Sequence, residues 1–166
     1  MTRPSRAAML LVAAGLLVLA SCGQKPLHNF TRHGSVDLTG AVTLQGTFSA
    51  TELSGSNATD PHGCAASIHS TPYVIGSDPR ISIDGKAFSL ELSMQGVADR
   101  VGTHAGYAIV GVGGDSYADP AGTISFRADG GGSVTLHDAL LLGATAGGPV
   151  VSGSVRWSCR DGTVGS

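Results

Sequence analysis

Ile81-Ser82-Ile83-Asp84-Gly85-Lys86-Ala87-Phe88-Ser89-Leu90-Glu91-Leu92-Ser93-Met94 is the stretch that decides the fold class. Asp-Gly between alternating residues is a strong hairpin signal, because a two-residue turn of this kind needs positive φ at both central positions. With the turn at Asp84-Gly85, Ile81 stands opposite Phe88, and every apolar residue from Ile81 to Met94 except Ala87 falls on one face. The segment therefore reads as two paired strands with one buried and one wet side.

The same period of two runs outward from this hairpin. Upstream, Val36, Leu38, Val42, Leu44 and Phe48 hold even positions, with Gly40 and Gly46 in register among them. Asp37, Thr39, Thr43, Gln45, Thr47 and Ser49 take the other face, and both one long bent strand and two strands hinged near Gly40 fit. A turn-rich loop over residues 54–63 then leads to a short strand predicted from Cys64 to His69. Downstream, Gly106 to Val112 forms an apolar strand, and Ile124 and Phe126 precede the turn Asp129-Gly130-Gly131-Gly132. Val134 and Leu136 follow, and Asp138 to Leu142 suits a continued strand or one helical turn. The last segment places Val151, Gly153, Val155, Trp157 and Cys159 on one face and Ser152, Ser154, Arg156 and Ser158 on the other. No segment after residue 22 carries a three-turn helical stripe. Seven to nine short strands with frequent turns predict an all-β domain: a single small antiparallel β-sandwich, immunoglobulin-like or related, with a barrel as the alternative.

The N-terminus has a different character. Arg3 and Arg6 precede an apolar run from Ala7 to Ala20, a signal-peptide core too short for a comfortable span. The run ends in Leu19-Ala20-Ser21-Cys22, which resembles the lipobox of bacterial lipoproteins: an aliphatic residue, two small residues, then cysteine. The resemblance implies a diacylglycerol on the Cys22 sulfur and cleavage just before it. The mature chain would then sit on the extracytoplasmic side of the cell membrane, held by its lipid. The organisation expected is a signal peptide over 1–21, a flexible tether over 22–34, the β domain over 35–162 and a tail over 163–166. The closing Ser152-Gly153-Ser154-Val155-Arg156-Trp157-Ser158-Cys159 loosely resembles the last strand of small secreted actinobacterial lipoproteins. Lys25 and Lys86 are the only lysines, a bias of GC-rich genomes.

Without Arg3 and Arg6 the mature chain holds 8 basic and 12 acidic residues, a net charge of −4. That argues against a nucleic-acid partner and against a polybasic grip on anionic lipid. Its 145 residues suit one domain, expected to be a monomer. With Cys22 acylated, Cys64 and Cys159 remain as a matched pair in an oxidising compartment. Their separation of 95 residues fits neither a metal-ligand spacing nor a Cys-x-x-Cys redox motif, so a structural disulfide is expected.

Candidate chemistry is sparse. Gly114-Asp115-Ser116-Tyr117 resembles the Gly-Asp-Ser block of the GDSL (SGNH) esterases, which implies Ser116 as nucleophile. That family draws its base from a downstream Asp-x-x-His block, and no aspartate here has a histidine three positions later. A strand-end turn explains the same letters. His28, His33, His62, His69, His104 and His137 include no pair at ligand spacing. His69 and His137 have the outward parity and could meet across neighbouring strands, but two imidazoles without a third ligand make a poor metal site. Asp115 and Asp119 lack the ligand density of a calcium loop. Asp115, Ser116, His69 and His137 thus stand as site candidates, with no catalytic set, metal or cofactor assigned. The function expected is a lipid-anchored binding or envelope-interaction module for a protein, glycan or small molecule; the alternative is a small serine- or metal-dependent hydrolase.

Overall fold

The computed structural model describes residues 29–53, 63–76 and 81–162. The signal peptide, Cys22, His28, His62, most of the loop over 54–63 and the tail over 163–166 lie outside the described residues. Among the described residues nine strands form one sheet: β1 (Asn29–Gly40), β2 (Leu44–Leu53), β3 (Tyr73–Ile75), β4 (Ile81–Ile83), β5 (Lys86–Ser93), β6 (Gly102–Val112), β7 (Asp115–Phe126), β8 (Gly132–Leu141) and β9 (Val150–Asp161). One short helix, α1 (Gly63–Ser67), precedes β3.

The order across the sheet is β2-β1-β9-β8-β7-β6-β5-β3, antiparallel throughout, with β4 also on β5. This is one sheet curled into a nearly closed barrel, so the two-sheet sandwich expected from the sequence gives way to its alternative. Alternation tells which side chains face inward; it does not tell whether the inward face is shared by two sheets or wrapped by one. β3 and β4 run the same way along β5, Tyr73 opposite Leu92 and Ile81 opposite Phe88, so they form one interrupted edge strand.

The free edges meet at a seam without a ladder. Ile83 on β4 packs where Gly46 on β2 has no side chain; a Cβ on Gly46 would collide with the Ile83 Cγ2. At the turn end Lys86 Nζ donates to the Thr43 carbonyl at 3.0 Å. At the other end Arg32 of β1 reaches across to donate to the Val74 carbonyl of β3 at 3.3 Å and to the Glu52 carboxylate of β2. Its guanidinium lies 4.7 Å from the ring centres of both Phe30 and Tyr73, a cation–π arrangement strengthened by burial.

Inside, the alternating residues make one continuous core, from Leu38 and Leu44 through Leu90, Val110 and Ile124 to Leu136 and Val155. The Asp84-Gly85 hairpin forms as read, with φ of 50° and 73° at its centre. The even-numbered run over 36–48 is two strands joined after Gly40. Residues 29–34, assigned to a tether, are instead the start of β1, where Phe30 and Arg32 are buried. Asp138 to Leu141 continues β8.

Cys64 to His69 is not a strand. Gly63–Ser67 is a single helical turn, Asp161 Oδ1 accepting from the Cys64 N–H at 2.7 Å and Ser67 Oγ donating to the Cys64 carbonyl at 2.7 Å. Arg100, buried, donates to the carbonyls of Ile68 and Ser70 and fastens the link from α1 to β3. Cys64 and Cys159 are bridged, with Cα atoms 5.7 Å apart. The bridge ties α1 to the end of β9, beside a cluster in which Tyr73 meets Phe126 edge-on at 4.8 Å and stacks on Trp157 at 5.6 Å. Burial raises the Tyr73 phenol to about 12, against the opposite pull of the Arg32 charge.

A bridge that closes so long a loop constrains the unfolded chain strongly. Cys64→Ser with Cys159→Ser is expected to lower stability in urea unfolding by about 2–5 kcal/mol. Two titratable thiols in the untreated native chain would contradict the bridge.

Candidate functional site

The Gly-Asp-Ser segment forms the tight turn between β6 and β7. Val112 pairs with Asp115 across Gly113-Gly114, whose φ values of 66° and 110° only glycine adopts without strain. Asp115 is exposed at the first position of β7, and Ser116 is half-buried opposite Gly111. Ser116 faces an open groove of about 550 Å³ whose walls include Ser89, Glu91, Ile109, Asp115 and Leu142. Among the described residues no histidine lines it. His104 lies on β6 seven residues from Gly111, on the order of 23 Å along the strand. His137 is five residues along the chain from Leu142, whose N–H donates to the Ser116 carbonyl; that is on the order of 16 Å. An imidazole must come within about 3 Å of a hydroxyl to deprotonate it, so neither is placed to activate Ser116.

The histidine pair does not assemble either. His69 is exposed in the turn after α1, at the disulfide end, because residues 64–69 are helix and turn rather than strand. His137 is exposed on β8 near the opposite end, beside a crease in the sheet. The crease crosses four strands: the register slips between Gly106 and Ala108 and again between Leu136 and Ala139. Buried Asp119 stitches it, accepting from the Ala121 N–H at 2.8 Å and the His137 N–H at 2.7 Å. Asp119 and Asp115 therefore do different work, one inside the crease and one at a turn. Among the described residues no group of three or more His, Cys, Asp or Glu converges as metal ligands.

A second groove, about 580 Å³, crosses the outer wall at the disulfide end over β1, β9, β8 and β7. Its lining includes His33, Ser35, Ser125, Arg127, Ser133 and Arg156. Sequence reading placed Arg156 on the wet face of the last strand but gave it no role. The signal that finds it is register: only when β9 is known to lie between β1 and β8 do Ser35 and Ser133 become its neighbours. Arg127 is paired with Asp129, Nε to Oδ1 at 3.2 Å, while Arg156 has no ion-pair partner among the described residues. The Gly131 N–H, together with Arg127, holds the Asp129 carboxyl below its usual range.

Comparison of the chain with protein-family models, with curated proteins and with solved structures finds no match.

With no imidazole beside it among the described residues, Ser116 is expected to stay unlabelled by an active-site-directed fluorophosphonate, read by intact mass. Stoichiometric labelling that disappears in Ser116→Ala would show an activated nucleophile and overturn this assignment.

Proposed function

We propose that the protein is a lipid-anchored, extracytoplasmic binding module that presents its outer wall, rather than a barrel cavity, to a ligand. The observation that carries this reading is the division between inside and outside. The interior is occupied by a continuous side-chain core, whereas the wall carries an open groove with an arginine that has no ion-pair partner among the described residues. Ligand sites commonly combine a concave surface with a few fixed polar groups, and strands of a stapled barrel hold such groups rigidly. The disulfide supports a compartment outside the cytoplasm, since thiols in a reducing cytosol do not keep such bridges. The lipid rests on Leu19-Ala20-Ser21-Cys22 alone.

Anchoring also orients the barrel. Cys22 is seven residues from Asn29, so the start of β1 lies within about 25 Å of the acylated sulfur. Phe30 pairs with Asp161, so with a lipid on Cys22 the end that carries the disulfide, α1 and the arginine groove would be the one nearer the membrane. The Asp84-Gly85 and Gly113-Gly114 turns point away from it.

Expression of the full chain in a bacterial host is expected to yield a mature form beginning at Cys22 and carrying the diacylglyceryl mass. Cys22→Ala is expected to lose that mass and retain the signal peptide. A mature N-terminus at any other residue, with Cys22 unmodified, would overturn the anchored part of this reading.

A further inference from the structure

We propose that the groove over β1, β9, β8 and β7 is a phosphate-binding site, an inference that rests on the binding-module reading and names its ligand chemistry. The register lines up one outward position on each of six neighbouring strands: Thr47, Ser35, Arg156, Ser133, Ser125 and Thr103. Adjacent strands are about 4.8 Å apart, so five short hydroxyl side chains flank one long cation. Ser35 and Ser133, the strand neighbours of Arg156, can orient toward one acceptor beside it; farther along the row Thr103 Oγ1 donates to Ser125 Oγ at 3.1 Å. Arg156 supplies the planar fork that meets two oxygens of an oxyanion at once, and hydroxyls on both sides supply donors for the others. A carboxylate would use the fork alone; the flanking hydroxyls suit the additional oxygens of a tetrahedral phosphate.

The charges around the row agree. The chain is net acidic, so any attraction for an anion must be local. Arg127 and His33 line the same groove, and Arg160 lies on the outward parity of β9 two positions beyond Ser158. Two carboxylates stand nearby. Asp37 shares an adjoining hollow with Arg156 and accepts from Gln45 Nε2 at 2.8 Å. Asp129 neutralises Arg127 at 3.2 Å. Asp129 weakens the site's field through Arg127, and removing its charge is expected to improve anion binding, a gain that loss of structure cannot mimic.

The same phosphate chemistry is offered by an anionic lipid headgroup and by soluble phosphate. Trp157, the chain's one tryptophan, follows Arg156 on β9 with its ring buried in the wall beneath this groove, so its emission reports on both. The lipidated full chain in non-ionic detergent is titrated with inorganic phosphate at low ionic strength, against chloride at equal ionic strength. A saturable change in Trp157 emission is expected with phosphate only. Arg156→Gln is expected to weaken it about ten-fold, the scale of one charge-assisted contact, and Asp129→Asn to tighten it about two- to five-fold. Thermal melts confirm that both variants are folded. The chain is then placed in vesicles of phosphatidylcholine alone or with phosphatidylglycerol. A shifted emission and weakened free-phosphate response only with phosphatidylglycerol assigns the site to the bilayer headgroup; an unchanged phosphate titration assigns it to a soluble phosphate. No saturable response in any arm, or the same response in folded Arg156→Gln, overturns the proposal. That failure leaves the lipid on Cys22 and the unlabelled Ser116 as they were, so it is distinguishable from failure of the binding-module reading.

Discussion

The sheet has two free edges, and the fold depends on how they meet. Curling brings β2 beside β3 and β4, yet among the described residues no hydrogen-bond ladder joins them. An unpaired edge in water invites other chains. Here the seam is closed by side chains instead: Lys86 on the Thr43 carbonyl, Ile83 over Gly46, and Arg32 bound to Glu52 and the Val74 carbonyl. The last of these is the most demanding. The Arg32 side chain is 3% exposed and that of Glu52 22%, so the pair gives up hydration that only mutual contact and the Val74 bond replace.

The remaining devices cluster at the same end. Arg32 lies against Tyr73, Tyr73 against Phe126 and Trp157, and Trp157 Nε1 donates to the Gly130 carbonyl at 3.2 Å. Cys159, opposite Arg32 on β9, carries the bridge to α1. The barrel is thereby tied where its seam is least regular. At the other end the Asp84-Gly85 and Gly113-Gly114 turns supply left-handed residues, and a longer link over residues 142–149 joins β8 to β9. A wall fixed in this way can hold a row of outward side chains across six strands without a dedicated loop, which is the geometry on which the arginine groove rests.

Much of this was legible in the residues, and the failures have particular causes. The Asp84-Gly85 hairpin, the inward parity of the last strand and the cysteine pair follow from local rules, and each appears in the structure. The start of β1 was hidden because Arg32 and Gly34 occupy inward positions, so the alternation looks broken where it is intact. Cys64 to His69 read as a strand because a one-turn helix leaves no period; what makes it a helix is the Asp161 carboxylate, 97 residues away. Sandwich against barrel could not be read from alternation, since the deciding fact is that β9 inserts between β1 and β8. The same long-range pairing assembles the hydroxyl row around Arg156. Ser116 and the histidines drew notice through their chemistry in isolation, and register separates them.

A double-mutant cycle on Arg32 and Glu52 tests the seam most directly. Arg32→Met, Glu52→Met and the double variant are compared with the parent by urea unfolding. Each single change is expected to cost about 2–4 kcal/mol, because it strands the partner's charge in a largely dry site. The double variant is expected to cost less than their sum by about 1–3 kcal/mol. Strictly additive costs would mean that the two side chains do not act on one another, and that the barrel is held closed without them.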